Sequence, residues 1–235
     1  MSAGRVTELH RYPVKSLLGE RLDLAEVDGR GLRGDRLFAV VDPDGRLGSG
    51  KTSRRFRRMD GLLALRAHYD GDVPVLTMPD GSLLRGDDDA VHAALSAHVG
   101  RSVRLAAEGE VPHFDDGPVH LVTTASLDAL GTARGAPVDV RRMRPNLLVD
   151  TGDLTGFVED GWIGRTLAVG GQLRLRAVMA MPRCVMTTMA SADLPRDAGL
   201  LGAVTEHHDG DLGVLLEVVR PGTVRVGDPV EVLDR

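Results

Sequence analysis

A chain of 235 residues can form one large domain or two small ones that share a core. Hydrophobic residues make up 42% and charged residues 27%, but aromatics only 3%, so the core must be built from Val, Leu, Ala and Met. The net charge of -5 gives no support for nonspecific nucleic-acid binding, and the apolar runs are strand-sized, far short of a membrane span. A single cysteine excludes an intrachain disulfide and any iron–sulfur cluster or Cys-rich zinc site held by this chain alone. The first ten residues lack the apolar core of a signal peptide, and a cytoplasmic protein is expected.

Residues 6–12 alternate as a short strand. Pro13 then breaks the ladder and presents Lys15 and Ser16 on a turn. Lys15 and Lys51 are the only lysines, so lysine survives at these positions against a strong arginine bias. Residues 22–27 alternate again, and a glycine-rich basic turn over 29–34 leads to Asp35 and Arg36. Residues 37–41 form a strand closed by the hairpin turn Asp42-Pro43-Asp44-Gly45.

Residues 45–52, Gly-Arg-Leu-Gly-Ser-Gly-Lys-Thr, satisfy the phosphate-loop pattern. That motif works where a buried strand meets a helix N-terminus, so that backbone N–H groups and the lysine converge on an anion. Here the first glycine belongs to a hairpin turn, and residues 53–59 are too basic for a buried helix. Nucleotide hydrolysis is not expected. The glycines and basic residues are free to line an anionic site of another kind.

Residues 62–69 and 75–78 read as strands, with Asp80-Gly81 as a further hairpin signal. The acids at 87–89 cap a helix over 90–99 that ends at Gly100, with His92 and His98 six apart on it and expected in solvent. Residues 108–118, with His113 and Asp115-Asp116, fit no metal-ligand spacing and read as a surface loop. The second half offers strands at 119–122, 147–149, 167–169, 173–179, 214–219 and 224–232, a helix near 127–130 with Ser126 as its cap or in its first turn, and an irregular stretch at 191–202. Short strands, tight turns and few helices point to a mainly β, barrel-like fold with some α, in the α+β class, with a subdomain boundary near 105–118.

The lone cysteine lies in Ala180-Met181-Pro182-Arg183-Cys184-Val185-Met186-Thr187-Thr188. A thiolate is both a nucleophile and a soft-metal ligand, whereas an isolated cysteine is also a common core residue. This stretch and Tyr12-Pro13-Val14-Lys15-Ser16, Asp35-Arg36, Arg144-Pro145-Asn146 and Pro221-Gly222-Thr223-Val224-Arg225-Val226-Gly227-Asp228 together resemble MOSC-domain proteins that carry a MOSC N-terminal β-barrel domain. Amidoxime-reducing components of mitochondria and their bacterial relatives belong to that group. The resemblance spans nearly the whole chain.

It implies an N-terminal β-barrel-like domain over 1–110, a MOSC domain over 111–235, and a molybdenum cofactor (Mo-molybdopterin) held between them. It implies Cys184 as the catalytic molybdenum ligand. Lys15, Ser16, Arg36, Arg144 and Arg183 match positions that hold the pterin's phosphate and ring, and Asn146, Thr123 and Thr124 lie in segments near the same site. A soft thiolate suits molybdenum bound by a dithiolene, and arginine forks suit the cofactor's phosphate. Two departures bear on the site: Pro182 stands where close relatives often have a small polar residue, and the loop over 151–158 differs from the reductases. No cysteines remain for a ferredoxin domain, so a reductase of this sequence would take electrons from a separate donor protein.

The resemblance leaves three chemistries open. In the first, a molybdenum-dependent oxidoreductase removes oxygen from an N-hydroxylated small-molecule substrate. The second is sulfur transfer or C–S bond cleavage at Cys184, without pyridoxal phosphate, since neither Lys15 nor Lys51 has a recognisable Schiff-base context. The third is a cofactor carrier without catalysis.

Overall fold

Alternation in the sequence becomes pleated strands whose apolar faces turn inward. In Leu173–Pro182, Leu173, Leu175 and Ala177 are fully buried, while Arg174 and Arg176 between them reach outward. The computed structural model describes residues 2–233. In it, seven strands close into a barrel: Leu147–Asp150, Val119–Thr123, Asp211–Arg220, Leu173–Pro182, Thr166–Val169, Pro229–Val232 and Ser2–Arg11, the last pairing back onto the first. Closure removes the exposed sheet edges that an open sheet would leave. The interior is aliphatic, as so few aromatics require, with Leu9, Leu121, Leu147, Leu167 and Leu173 completely buried. Among the described residues the fold is thus mainly β with three α-helices.

Between residues 12 and 110 most of the chain builds a second body beside the barrel. A four-stranded sheet (Arg104–Ala107, Phe38–Val41, Leu47–Ser49, Phe56–Arg58) and a three-stranded one (Leu83–Arg85, Val73–Thr77, Arg66–Asp70) pack with helix α1 (Ala90–Val99). Val14, Leu17, Leu65, Leu76 and Leu95 fill this second core. A further small sheet joins Gly222–Arg225 to Leu24–Asp28, stitching the end of the chain to its beginning. Helices α2 (Thr124–Arg134) and α3 (Leu200–His208) cover one side of the barrel over Leu127, Leu130, Leu200 and Val204.

Several sequence expectations are corrected. Residues 62–69 are not one strand: a 3-10 turn, Leu62–Ala64, precedes Arg66–Asp70. The alternating stretch 22–27 is split, with Glu20–Leu22 on the barrel and Leu24–Asp28 on the small sheet. The irregular region ends in α3, whose apolar face needs only Leu200 and Val204, one turn apart. Ser126, which the sequence allowed as cap or as part of the first turn, lies in the first turn of α2; Thr123 is the cap, and its Oγ1 accepts from the Ser126 N–H at 3.1 Å. His92 and His98 are tethered: His92 Nδ1 accepts from the Leu105 N–H at 3.2 Å, and His98 Nε2 meets the Gly61 carbonyl at 3.0 Å. The loop over 108–118 is anchored inward through Glu108, which accepts from Arg30 and from the His113 N–H.

Barrel closure depends on Gly4. Its φ is 145°, and a Cβ there would lie 2.1 Å from the Asp150 carbonyl oxygen on the facing strand. Gly4→Ala is therefore expected to cost about 1–3 kcal/mol from backbone strain and the forced separation of the strands. Urea unfolding of the two proteins side by side measures it.

Candidate functional site

The chain leaving the first barrel strand turns sharply at Pro13. The Lys15 N–H donates to the Phe38 carbonyl at 2.8 Å, and the Phe38 N–H donates to Pro13 at 3.0 Å. The Asp35 carboxylate accepts from the Tyr12 N–H at 2.8 Å, and the Arg36 N–H donates to the Tyr12 carbonyl at 2.6 Å. Among the described residues only four non-glycines have left-handed backbone, and three of them are Ser16, Arg36 and Arg144. Such conformations cost about 1–3 kcal/mol each and persist where the surroundings over-determine them.

These turns bring two cations to one ring. The guanidinium carbons of Arg36 and Arg144 lie 4.7 Å and 4.3 Å from the centre of the buried Tyr12 ring. Arg36 also pairs with Asp35 and donates to the Arg144 carbonyl at 3.2 Å. Nη1 of Arg144 is out of reach of solvent and has no hydrogen-bond partner among the described residues. Burial raises the Tyr12 pKa to about 12, so its hydroxyl stays protonated and donates to the Pro145 carbonyl at 3.2 Å.

The cysteine reaches this cluster from the opposite side. The long strand Leu173–Pro182 ends just before Arg183, whose N–H donates to Gly210 at 2.8 Å. The Arg183 guanidinium donates to the Met143 carbonyl at 2.5 Å and faces His120 Nε2 at 3.3 Å, while its buried Nε has no partner among the described residues. Cys184 is half-buried and extended, and its carbonyl accepts from both the N–H and Oγ1 of Thr187, at 3.1 and 2.9 Å. Arg142 fastens the same turn through the Thr187, Met189 and Pro195 carbonyls.

Cys184, Arg36, Arg144 and Arg183 line one cavity of about 270 Å³, with Ser16 and Asn146 also in its wall. Five cationic side chains face it, Arg36, Lys51, Arg142, Arg144 and Arg183, against two carboxylates, Asp115 and Asp116. Burial lowers the Arg144 and Arg183 pKa values to about 10, so both remain charged at neutral pH. Burial, with Arg183 and Arg36 adding to it, holds the His120 pKa far below its usual value, so the ring is neutral. Asn146 is a strut at the barrel rim: its Oδ1 accepts from the His120 N–H at 3.0 Å, and its Nδ2 donates to the His10 carbonyl at 3.2 Å.

Lys15 stands behind this wall. Its Nζ donates to Asp115 at 2.5 Å, in a pair of which the lysine is almost wholly buried. Burial lowers the Lys15 pKa to about 8, and Asp115 only partly opposes that. Burial works against the Asp115 carboxylate too, but Lys15 outweighs it and the net shift is downward. Ser16 Oγ donates to the Gly48 carbonyl at 2.9 Å. Thr123 and Thr124 are not among the residues lining the cavity. Thr123 Oγ1 donates to the buried Glu159 at 2.6 Å, and Thr124 Oγ1 donates to Asp150 at 3.3 Å.

Sequence reading missed His120, Asp115 and Arg142 as parts of this wall. A histidine within the apolar run 119–122 was the one available signal for the first. The basic glycine-rich segment did signal Lys51: it contributes a cavity-facing cation, and Leu47–Ser49 within it is a sheet strand with no helix following.

A MOSC domain model matches residues 80–231, and a MOSC N-terminal beta barrel domain model matches residues 3–110. The chain belongs to the MOSC family. Mitochondrial amidoxime reducing component 2 of Bos taurus is 26% identical over 97% of this chain and 82% of its own length. Mitochondrial amidoxime-reducing component 1 of Mus musculus is 26% identical over 98% of this chain and 82% of its own. The YUAD protein from Bacillus subtilis shares the fold, with a TM-score of 0.55 at 14% identity over 97% of this chain and 94% of that one. Among the described residues no helix of this MOSC protein is long and apolar enough to cross a membrane.

The Lys15 shift fixes a pH dependence. Folded, the amine releases its proton near pH 8; unfolded, near 10.5. Between those values the unfolded chain binds more protons, so stability rises with pH. Relative to Lys15→Met, the native protein is expected to gain about 2 kcal/mol between pH 7.5 and 9.5. Denaturant titrations at the two pH values check the difference.

Proposed function

We propose that this chain holds a molybdenum cofactor in the cavity beside Cys184 and reduces N-hydroxylated small molecules with electrons from a separate protein. The observation that carries this reading is the surplus of half-buried positive charge around the single thiol. Cations that outnumber their counterions are costly unless a further anion completes them. The unpartnered Nη1 of Arg144 and Nε of Arg183 have the chemistry of phosphate or pterin donors. Among the described residues no group of three or more His, Cys, Asp or Glu gathers to hold a metal. A metal at Cys184 would thus take further ligands from a bound molecule, as a dithiolene provides.

In this reading Cys184 is the protein's ligand to molybdenum. Arg36, Arg144 and Arg183 hold the cofactor's anionic and polar edge, with Asn146 and Ser16 shaping the wall. Lys15 acts through Asp115, fixing the loop that carries it. Thr123 and Thr124 have no part, because Glu159 and Asp150 occupy their hydroxyls. When bound, the cofactor supplies two-electron chemistry. Overall, the substrate N–O bond breaks, two electrons and two protons are consumed, and the reduced nitrogen compound and water leave. His120 is neutral at physiological pH, so the fixed positive charge next to Cys184 is that of Arg183. The names of the relatives support the substrate class. A single thiol suits a reducing compartment such as the cytoplasm.

Elemental analysis and the visible spectrum of protein from a host that makes the cofactor test the binding site. About one molybdenum per chain is expected, given the single thiolate ligand, and Cys184→Ser is expected to lose both the metal and its absorbance. Reduction of a simple amidoxime with an artificial electron donor tests the reaction. Unchanged turnover by Cys184→Ser overturns the assignment. A persulfide on Cys184 in protein without molybdenum replaces it with sulfur transfer.

A further inference from the structure

The turn that carries Cys184 has a second hollow behind it. This hollow has a volume of about 280 Å³, with Met59, Leu62 and Ala64 on one side and Met186 and Met189 on the other. Its lining includes no charged side chain. Ser16 and Met186 belong to this lining and to that of the cationic cavity, so the two spaces share a wall two residues from the thiol. The Ala192 N–H donates to the Leu63 carbonyl at 3.0 Å and pins the two sides together.

The glycines of the phosphate-loop-like segment are explained here. A Cβ on Gly50 would lie 2.6 Å from Met189 Sδ and 2.7 Å from Met186 Cγ. One on Gly48 would lie 2.8 Å from Leu62 and 2.9 Å from Met59 Sδ. The segment is glycine-rich so that its backbone can pass close behind thioethers.

Thioethers are flexible and polarizable, and they make favourable contacts with aromatic ring edges. An apolar cavity of about 150 Å³ suffices for benzene, so this one has room for a substituted ring. Resting on the reductase reading above, we propose that this methionine-lined hollow receives the apolar body of the substrate. The favoured N-hydroxylated compounds then carry an aromatic group next to the N–OH, which itself stays on the Cys184 side. Met186 is the side chain that must swing, and its Sδ accepts one weak hydrogen bond, from the Ser49 hydroxyl at 3.6 Å.

The test compares kcat/KM for benzamidoxime and for hydroxylamine, which has no body, in molybdenum-loaded protein. Ala64→Phe fills the hollow and is expected to lower the benzamidoxime value by about tenfold or more, with hydroxylamine unchanged. Met189→Ala enlarges the hollow and is expected to shift preference towards a naphthyl amidoxime. Independently of turnover, benzamidoxime added to oxidised, methyl-13C-methionine-labelled protein is expected to move the Met59 and Met189 signals, and not those of Ala64→Phe. Equal losses for both substrates in folded Ala64→Phe, an unchanged preference in Met189→Ala, or still methionine signals each overturn the proposal. If loaded native protein reduces neither compound, the reductase reading falls, and the methionine signals alone decide whether the hollow binds aromatic groups.

Discussion

Two guanidinium groups sharing one buried phenol ring set the terms for the rest of this molecule. Both lie within 5 Å of the Tyr12 ring centre, so the charges are at most about 9 Å apart. At an effective dielectric constant of about 20 their repulsion is on the order of 2 kcal/mol. Cation–π attraction of about 0.5–2 kcal/mol per pair offsets much of it. Asp35 then neutralises Arg36 but not Arg144. The backbone adds its own cost, because Arg36 and Arg144 are both left-handed, and Arg144 also precedes a proline. A fold that needed only stability would remove these costs with one substitution. Their presence at a cavity that also holds a thiol argues that the arrangement is kept for an anion.

The barrel holds that arrangement in place. Tyr12 leaves one barrel strand, Asn146 enters another, and His120 sits on a third, so the cavity floor is the rim of the barrel where three strands meet. The Asn146 amide bonds to backbone groups on both sides at once. Neither aspartate nor leucine could do so, since one lacks the donor and the other both groups. The lone asparagine of the chain therefore sits where an uncharged donor–acceptor is required.

Much of this was legible in the sequence, and what was not has a physical cause. Period-two alternation and glycine-bounded turns announced the strands, and residues 12–16, Arg36, Arg144 and Cys184 stood out as local peptides of unusual composition. Asp115 and Arg142 did not, because their roles rest on contacts across the chain: Asp115 meets Lys15 and Arg142 meets Thr187. Thr123 is outside the cavity lining although His120, three residues before it, belongs to that lining. A strand advances about 3.3 Å per residue, so three residues carry it roughly 10 Å along the barrel and away from the cavity. There its hydroxyl serves Glu159 and the start of α2. Helix α3 was hidden by Gly202 within it, by Gly199 at its start, and by an apolar face only two residues deep.

The phosphate-loop-like segment shows how one sequence pattern can answer two different demands. In a nucleotide site, glycines let backbone N–H groups surround phosphate, and the lysine follows to meet it. Here Gly48 and Gly50 lie in and just after a sheet strand, and their bare Cα atoms face Met59, Met186 and Met189 rather than an anion. Lys51, one residue on, turns to the cationic cavity instead. The segment therefore stands between an apolar space and a charged one, and so does the turn after Cys184. Met186 belongs to both linings, while Thr187 and Thr188 are buried with their hydroxyls donated to the Cys184 and Val185 carbonyls. Two such layers keep charge and apolar surface apart within a few ångströms of one sulfur. That separation is what a site needs if it binds an anionic cofactor on one side and excludes water from an organic substrate on the other.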